Sequence, residues 1–269
     1  METGPARTRY TEVDHGRPTG ALPLVVAEKP SVARDTAEVL GARARHEGYL
    51  EGGGYLVTWA IGHLVELAEP HEMNPAWKRW AMESLPMVPG EWPLVVSEKT
   101  KKQFAVVKKL LRSREVAEVV CATDAGREGE LIFRTIAEHA GARKPTKRLW
   151  ISSLTPDAIR AGMRALKPAS HYDALADAAR GRSRADWLVG MNLSRAYSLV
   201  GDDVLSVGRV QTPTLAMIVE RCRAIAAFVP VPYLEVRAVF SPPGDPRPVW
   251  PRGRSPPRFA APAPCRRRS

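Results

Sequence analysis

The sequence predicts an α/β fold: an open, largely parallel sheet wound with helices on both faces, followed by a mostly helical segment. Two stretches predict the sheet. Residues 119–122, Val-Val-Cys-Ala, form the apolar run a buried parallel strand needs. The chain then turns through Asp124-Ala125-Gly126-Arg127-Glu128-Gly129 into an apolar pattern at Leu131, Ile132, Thr135 and Ile136, which has helical spacing. Residues 24–27, Leu-Val-Val-Ala, repeat the plan and end in Glu28-Lys29, after which Pro30 and Ser31 open a helix. The third observation is a change of period at Thr155, after which the pattern stays helical to about residue 228.

Taken in order, residues 1–21 lack periodicity and carry Gly, Pro and charge, so they read as a loose extension. The helix after Lys29 is expected to bury Val32, Thr36, Val39 and Leu40. Residues 49–59 read as a hairpin with glycines at its turn. His63 follows, and a lone histidine is more often structural or exposed than a ligand contact. Residues 70–98 contain five prolines with Trp77, Trp80 and Trp92, which suits a long connection rather than a helix. Packing against the sheet and base stacking are both open for these tryptophans, and Trp77 and Trp92 are read as packing. Residues 100–111 form a helix with Phe104, Val107, Leu110 and Leu111 inward and Lys101, Lys102, Lys108 and Lys109 on a solvated face. Residues 140–147 are a basic loop and 148–153 a short strand, completing about four parallel strands.

Thr155-Pro156-Asp157 is a helix start, with a hydroxyl cap, proline at the first position and an acid in the first turn. Helices are expected at about 158–166, 172–199 and 214–227. In the middle one Arg184, Trp187, Met191 and Arg195 share a face at spacings of three and four. That stripe fits a surface helix anchored by Trp187, and it also fits a groove for single-stranded nucleic acid. The loop Ser206 to Pro213 has the composition of a phosphate site, with Gly208 for close approach, Arg209 for pairing, and Gln211 and Thr212 near a helix start. Residues 230–240 alternate as a strand. Residues 241–269 hold nine Pro and seven Arg with no apolar period, and read as a disordered or out-of-frame tail.

A strand running into a helix through an acidic turn puts carboxylates at the carboxyl edge of a sheet, where ligand sites of open α/β sheets collect. Asp124 and Glu128 suit Mg²⁺, which takes one or two carboxylates and keeps several waters. Solvated charges on an ordinary turn fit the local sequence equally well. Glu28 would face them across the crevice.

Glu28-Lys29-Pro30-Ser31 followed by Asp124-x-Gly-Arg-Glu-Gly-Glu resembles the Toprim domain, a Rossmann-like fold, of type IA DNA topoisomerases, nearest the bacterial topoisomerase III branch. The resemblance continues through Gly62-His63-Leu64, Arg148-Leu149-Trp150-Ile151-Ser152-Ser153, Arg184-Ala185-Asp186-Trp187 and Ser206-Val207-Gly208-Arg209-Val210-Gln211-Thr212-Pro213, and covers about residues 22–240. It implies a Toprim domain over 22–154 and an incomplete helical DNA-binding domain over 155–240. Many Toprim domains carry Asp-x-Asp; here the second acid is Gly126, which leaves Glu28, Asp124 and Glu128 as the metal candidates.

The resemblance further implies ATP-independent cutting of one DNA strand by a tyrosine, a 5′-phosphotyrosine intermediate, strand passage and resealing. Glu28 would be the general acid, Lys29 would stabilise charge on the phosphate, and Mg²⁺ would serve resealing, with Arg127 bracing the carboxylates. Single-stranded DNA would be held by His63, Trp80, Arg184, Trp187, Arg195 and the loop Ser206, Val207, Gly208, Arg209, Val210, Gln211 and Thr212. A monomer in the cytoplasm, associated with the nucleoid and needing no nucleotide cofactor, is expected. None of the six tyrosines precedes an Arg-Thr-Asp sequence, so the nucleophile is expected to be absent. A strand-binding module without chemistry, or another Toprim enzyme such as a primase or nuclease, are the alternative readings.

Composition bounds these readings. An apolar fraction of 44% and a charged fraction of 26% suit a globular protein. Of the net charge of +11, +6 lies in residues 241–269, leaving +5 for the rest, so basic surface must be judged by placement. Cys121, Cys222 and Cys265 match no zinc or disulfide spacing and point to a reducing compartment. No apolar run reaches the ~20 residues that span a bilayer, and no leader is visible at the start.

Overall fold

A computed structural model of the chain describes residues 21–201, 203–230, 232–236, 243–244 and 259–262. The expectations for residues 1–20, for Ala238 and Phe240, for Cys265 and for most of 241–269 lie outside them. The described residues fall in two compact units, one through Arg209 and one from Val210.

The first unit runs β1 (Leu22–Ala27), α1 (Pro30–Leu40), β2 (Ala44–His46), β3 (Tyr49–Gly52), β4 (Tyr55–Trp59), β5 (Val65–Leu67), α2 (Pro70–Met73) and β6 (Leu94–Val96). It continues with α3 (Lys101–Arg112), β7 (Val116–Ala122), α4 (Arg127–Ala140), β8 (Thr146–Arg148), α5 (Pro156–Arg164), β9 (Lys167–Pro168) and α6 (Asp173–Val200). The main sheet has the order β2-β3-β4-β1-β7-β8-β9. Its centre, β4-β1-β7-β8, is parallel throughout, as expected, and antiparallel strands close both edges.

Alternation along β1 and β7 divides the core into two layers. Leu24, Val26, Val119 and Cys121 pack with Phe104, Val107 and Leu111 of α3 and Ile132, Phe133 and Ile136 of α4. Val25, Ala27, Val120 and Ala122 pack on the other face with Ala33 and Ala37 of α1 and with Leu149. Each fully buried Val, Leu, Ile or Phe contributes about 1.5–3 kcal/mol. The central strands, buried on both faces, therefore hold the edge residues that follow them rigidly.

Several expectations need correction. The buried face of α1 is Ala33, Thr36 and Ala37, with Val32 and Leu40 at its margins, because close approach to the sheet selects small side chains. The strand expected at 148–153 is β8, which ends at Arg148. The connection over 70–98 is pinned by a short ladder of β5 with β6, too brief for an alternation signal. α5 starts where expected, and the Thr155 hydroxyl accepts from Ala158 N–H at 3.4 Å. α6 packs on α4.

In the second unit α7 (Gln211–Ala226) is exposed along its whole length. There β10 (Tyr233–Val236) pairs antiparallel with β11 (Phe259–Pro262), a short run inside the segment read as disordered or out of frame.

Candidate metal and strand-binding site

In the parallel register Ala27 lies beside Ala122, so the residues that follow, Glu28 and the 123–128 turn, meet at the carboxyl edge. Glu28 is buried and accepts the Asp124 N–H on Oε2 at 3.1 Å. Lys29 Nζ lies 3.4 Å from Glu28 Oε1 and 3.0 Å from Asp124 Oδ2. The hydrogen bond to Asp124, helped by the charge of Glu28, raises the Lys29 pKa above its ordinary value. Glu128 lies in the first turn of α4, and its Oε1 lies 2.7 Å from His63 Nε2.

The turn is built from behind. A Cβ at Gly129 would lie 2.1 Å from the Asp124 carbonyl oxygen, so only glycine lets the helix start this close to the strand end. The Thr123 hydroxyl donates to Gly129 O at 2.8 Å. Arg148, fully buried, donates to the carbonyls of Cys121, Thr123, Asp124 and Leu149. Its Nε is 3.0 Å from Glu130 Oε2, close enough for charge pairing but off the hydrogen-bond line. Glu130, also buried, accepts Arg134 Nε at 2.9 Å, and Arg134 reaches Asp173 at 2.9 Å and Ala169 O at 2.7 Å. One chain of charges thus runs from the 123–128 turn to the start of α6. Arg127 is exposed, so the bracing expected of it belongs to Arg148.

Beside this edge is a cavity of ≈ 800 Å³ whose walls include His63, Arg134, Arg180, Arg184, Trp187 and Met191. The expected face of α6 therefore lines a hollow, but its members divide. Arg184 is exposed, with its guanidinium 5.5 Å from the Trp92 ring centre. Trp187 is buried, donates Nε1–H to Ala68 O at 3.3 Å and packs edge-on against Trp92. Arg195 is buried too, donating to Trp77 O at 2.6 Å with its guanidinium 5.2 Å from the Trp80 ring centre. Burial lowers its pKa. Trp187 thus packs against the 70–98 connection, and Arg195 supports the exposed Trp80 from within the fold. Trp77 and Trp92 pack as expected.

The loop after α6 is strapped by two hydroxyls one turn apart. Ser194 Oγ accepts Val207 N–H at 2.9 Å, and Ser198 Oγ accepts Leu205 N–H at 2.7 Å. Ser206 is exposed, Gly208 half-buried, and Arg209 makes a two-pronged contact with Asp186 at 2.6 and 3.3 Å. That contact raises the Arg209 pKa. Val210 belongs to the second unit as the N-cap of α7, whose first residues are Gln211 and Thr212.

Among the described residues no three His, Cys, Asp or Glu side chains converge on a metal-sized point. The set Glu28, Asp124 and Glu128 is thus not a three-carboxylate cluster. Sequence reading missed the Glu130–Arg134–Arg148 chain. The signals were an acid and an arginine four apart on α4 and an arginine set against apolar Leu149.

Comparison with known proteins gives a Toprim domain over residues 23–154 and a match described as DNA topoisomerase over 170–250. The second match runs past Phe240, into the segment read as a tail. DNA topoisomerase 3 of Shouchella clausii is 54% identical over 209 residues, covering 78% of this chain and 29% of that protein. DNA topoisomerase 3 of Bacillus subtilis is 52% identical over 215 residues, covering 80% and 30%. The chain therefore spans about a third of the length of these curated relatives. Full-length topoisomerase I from Thermotoga maritima shares the fold, with a TM-score of 0.54 at 24% identity over 79% of this chain and 32% of that one.

Proposed function

The chain belongs to the type IA DNA topoisomerases, in their topoisomerase 3 branch, and from this premise we propose that it is the part of such an enzyme that binds single-stranded DNA and Mg²⁺. The observation that carries this reading is the cavity beside the carboxylate edge. His63, which touches Glu128, and Arg184 of α6 line the same hollow, so one strand can lie along α6 and reach the turn. Trp80 offers an exposed ring for a base, a contact worth about 1–3 kcal/mol. Arg180 and Arg184 supply positive charge for phosphates, and Arg209 exchanges Asp186 for one.

Asp124 and Glu128 fit a weakly held Mg²⁺, because both are exposed and each now contacts a nitrogen, Lys29 Nζ or His63 Nε2, where an ion would compete. When bound, the ion supplies positive charge at the phosphate being resealed. Lys29 supplies charge at the same edge without it. Glu28 is placed to pass a proton to a departing oxygen, with Asp124 N–H fixing its orientation.

Cleavage also needs a nucleophilic tyrosine, and none here has the family's sequence context. The chain alone is therefore expected to bind a strand without cutting it. The match over 170–250 favours this over a primase or nuclease. We place the protein in a reducing cytoplasm, consistent with the free thiols of Cys121 and Cys222. Among the described residues no helix is long and apolar enough to cross a membrane.

Fluorescence anisotropy with a labelled oligonucleotide should show an affinity that falls steeply with salt. Supercoiled plasmid should stay unrelaxed at every Mg²⁺ concentration. A protein-linked DNA band on a denaturing gel would overturn the non-cleaving part of this reading.

A further inference from the structure

At the other end of α4 is a second hollow, of ≈ 700 Å³, walled by Lys108, Arg112, Glu138, His139, Arg143 and Lys144. α4 is 14 residues, about 21 Å, long. It begins at the carboxylate turn and ends here, beside Val116 at the start of β7, so this hollow sits at the amino edge of the sheet.

Basic residues near helix ends often only offset the helix dipole. That explanation leaves most of this charge unused, because backbone groups already cap both helices. Ser113 N–H meets Leu110 O at 3.0 Å, Gly141 N–H meets Glu138 O at 3.0 Å, and Ala142 N–H meets Ala137 O at 2.9 Å. The acid in the wall, Glu138, faces Arg180 at 3.5 Å. Lys144 donates to Val116 O, which fixes the loop. His139 packs on the Phe104 ring, over which Lys108 also lies at 6.0 Å. Among the described residues, Arg112 and Arg143 have no hydrogen-bonding or ion-pairing partner. Two unpaired guanidinium forks beside two lysines in a concave wall match the fork geometry of a phosphate.

We propose that this hollow is a second nucleic-acid contact, holding a backbone phosphate at the edge of the sheet opposite the carboxylate turn. It rests on the proposed function for its ligand class alone. An acidic peptide could meet the same charge, but the walls offer no apolar pocket for side chains: Leu111 and Ala140 are already packed inward. A strand or duplex continuing past the groove would thereby be held at both ends of α4.

Hydrogen–deuterium exchange of the full chain, with inorganic tripolyphosphate or a single-stranded oligonucleotide, tests it. Both probes should slow exchange at residues 108–114 and 139–145. The exposed double variant R112Q/R143Q should lose that protection, keep the oligonucleotide's protection at 184–209, and lower the salt slope of oligonucleotide binding by about 0.7, the value for one phosphate on a single strand. No protection of the hollow by tripolyphosphate overturns the proposal, and so does equal protection by polyglutamate. Protection of the hollow without any at 184–209 sinks the groove reading and leaves this one standing; the reverse sinks this one alone.

Discussion

Two regions of the first unit are each held by an arginine–carboxylate pair, and the pairs differ in what surrounds them. Behind the 123–128 turn, Arg148 and Glu130 are 0% and 1% exposed. In the loop after α6, Arg209 and Asp186 are 50% and 38% exposed. A buried charge has no water to fall back on, so the first pair is scaffold and must not open. The second can trade its carboxylate for a phosphate, because solvent screens either state. Burial, rather than the presence of opposite charges, decides which arginine braces and which one is accessible to a ligand.

The largest effect should come from breaking the buried pair. Glu130→Ala leaves Arg148 uncompensated and should cost about 3–5 kcal/mol. That corresponds to a melting temperature lower by roughly 10 °C for a chain of this size. Calorimetry showing an unchanged melting temperature would mean that Arg148 reaches water and the contrast is false. Next is Gly129→Ala. Alanine is the better helix former, yet its Cβ meets Asp124 O, so stability should fall by about 1–3 kcal/mol. A stabilised variant in urea unfolding would contradict the close approach described for this turn.

Gly126 is the opposite case. Its φ of 179° is extended, and nothing lies within 4 Å of an added Cβ. Gly126→Asp should therefore change stability by less than about 0.5 kcal/mol. It should tighten Mg²⁺ binding in isothermal titration by adding a carboxylate beside Asp124, whereas Asp124→Ala should remove most of it. Unchanged affinity in both would move the ion elsewhere.

In the exposed pair, Asp186→Ala should raise single-strand affinity by freeing Arg209. Arg209→Ala should lower it equally for all sequences, with a salt slope smaller by about 0.7. Equal losses in the two variants would make the pair structural. The smallest effect concerns pH. The raised pKa of Lys29 means that its partnership with Asp124 is complete below the ordinary lysine range and lost as pH rises through the raised value. Lys29→Met should therefore lower stability slightly at neutral pH, with the difference from the natural chain vanishing as pH rises through the raised value, as thermal scans across pH would show.

The paired strand–turn–helix stretches around Glu28 and Asp124 determined the parallel sheet and its carboxylate-bearing edge, because apolar runs and abrupt charge are local signals. The same holds for the α3 face, read correctly from the spacing of Phe104, Val107, Leu110 and Leu111. Position along the chain also placed Asp124 and Glu128 at the edge, since a residue after a strand has little choice of location. Tertiary structure alone decided the fate of the arginines. Arg195 and Arg184 lie on one helical face, yet Arg195 is covered by Trp77 and Trp80 from a segment more than a hundred residues earlier. Arg148 looks like an ordinary basic residue until Cys121, Thr123 and Asp124 turn their carbonyls toward it. Periodicity says which side chains share a face. What packs against that face comes from distant chain, and packing sets the dielectric that makes an arginine a brace or leaves it exposed to solvent and ligands.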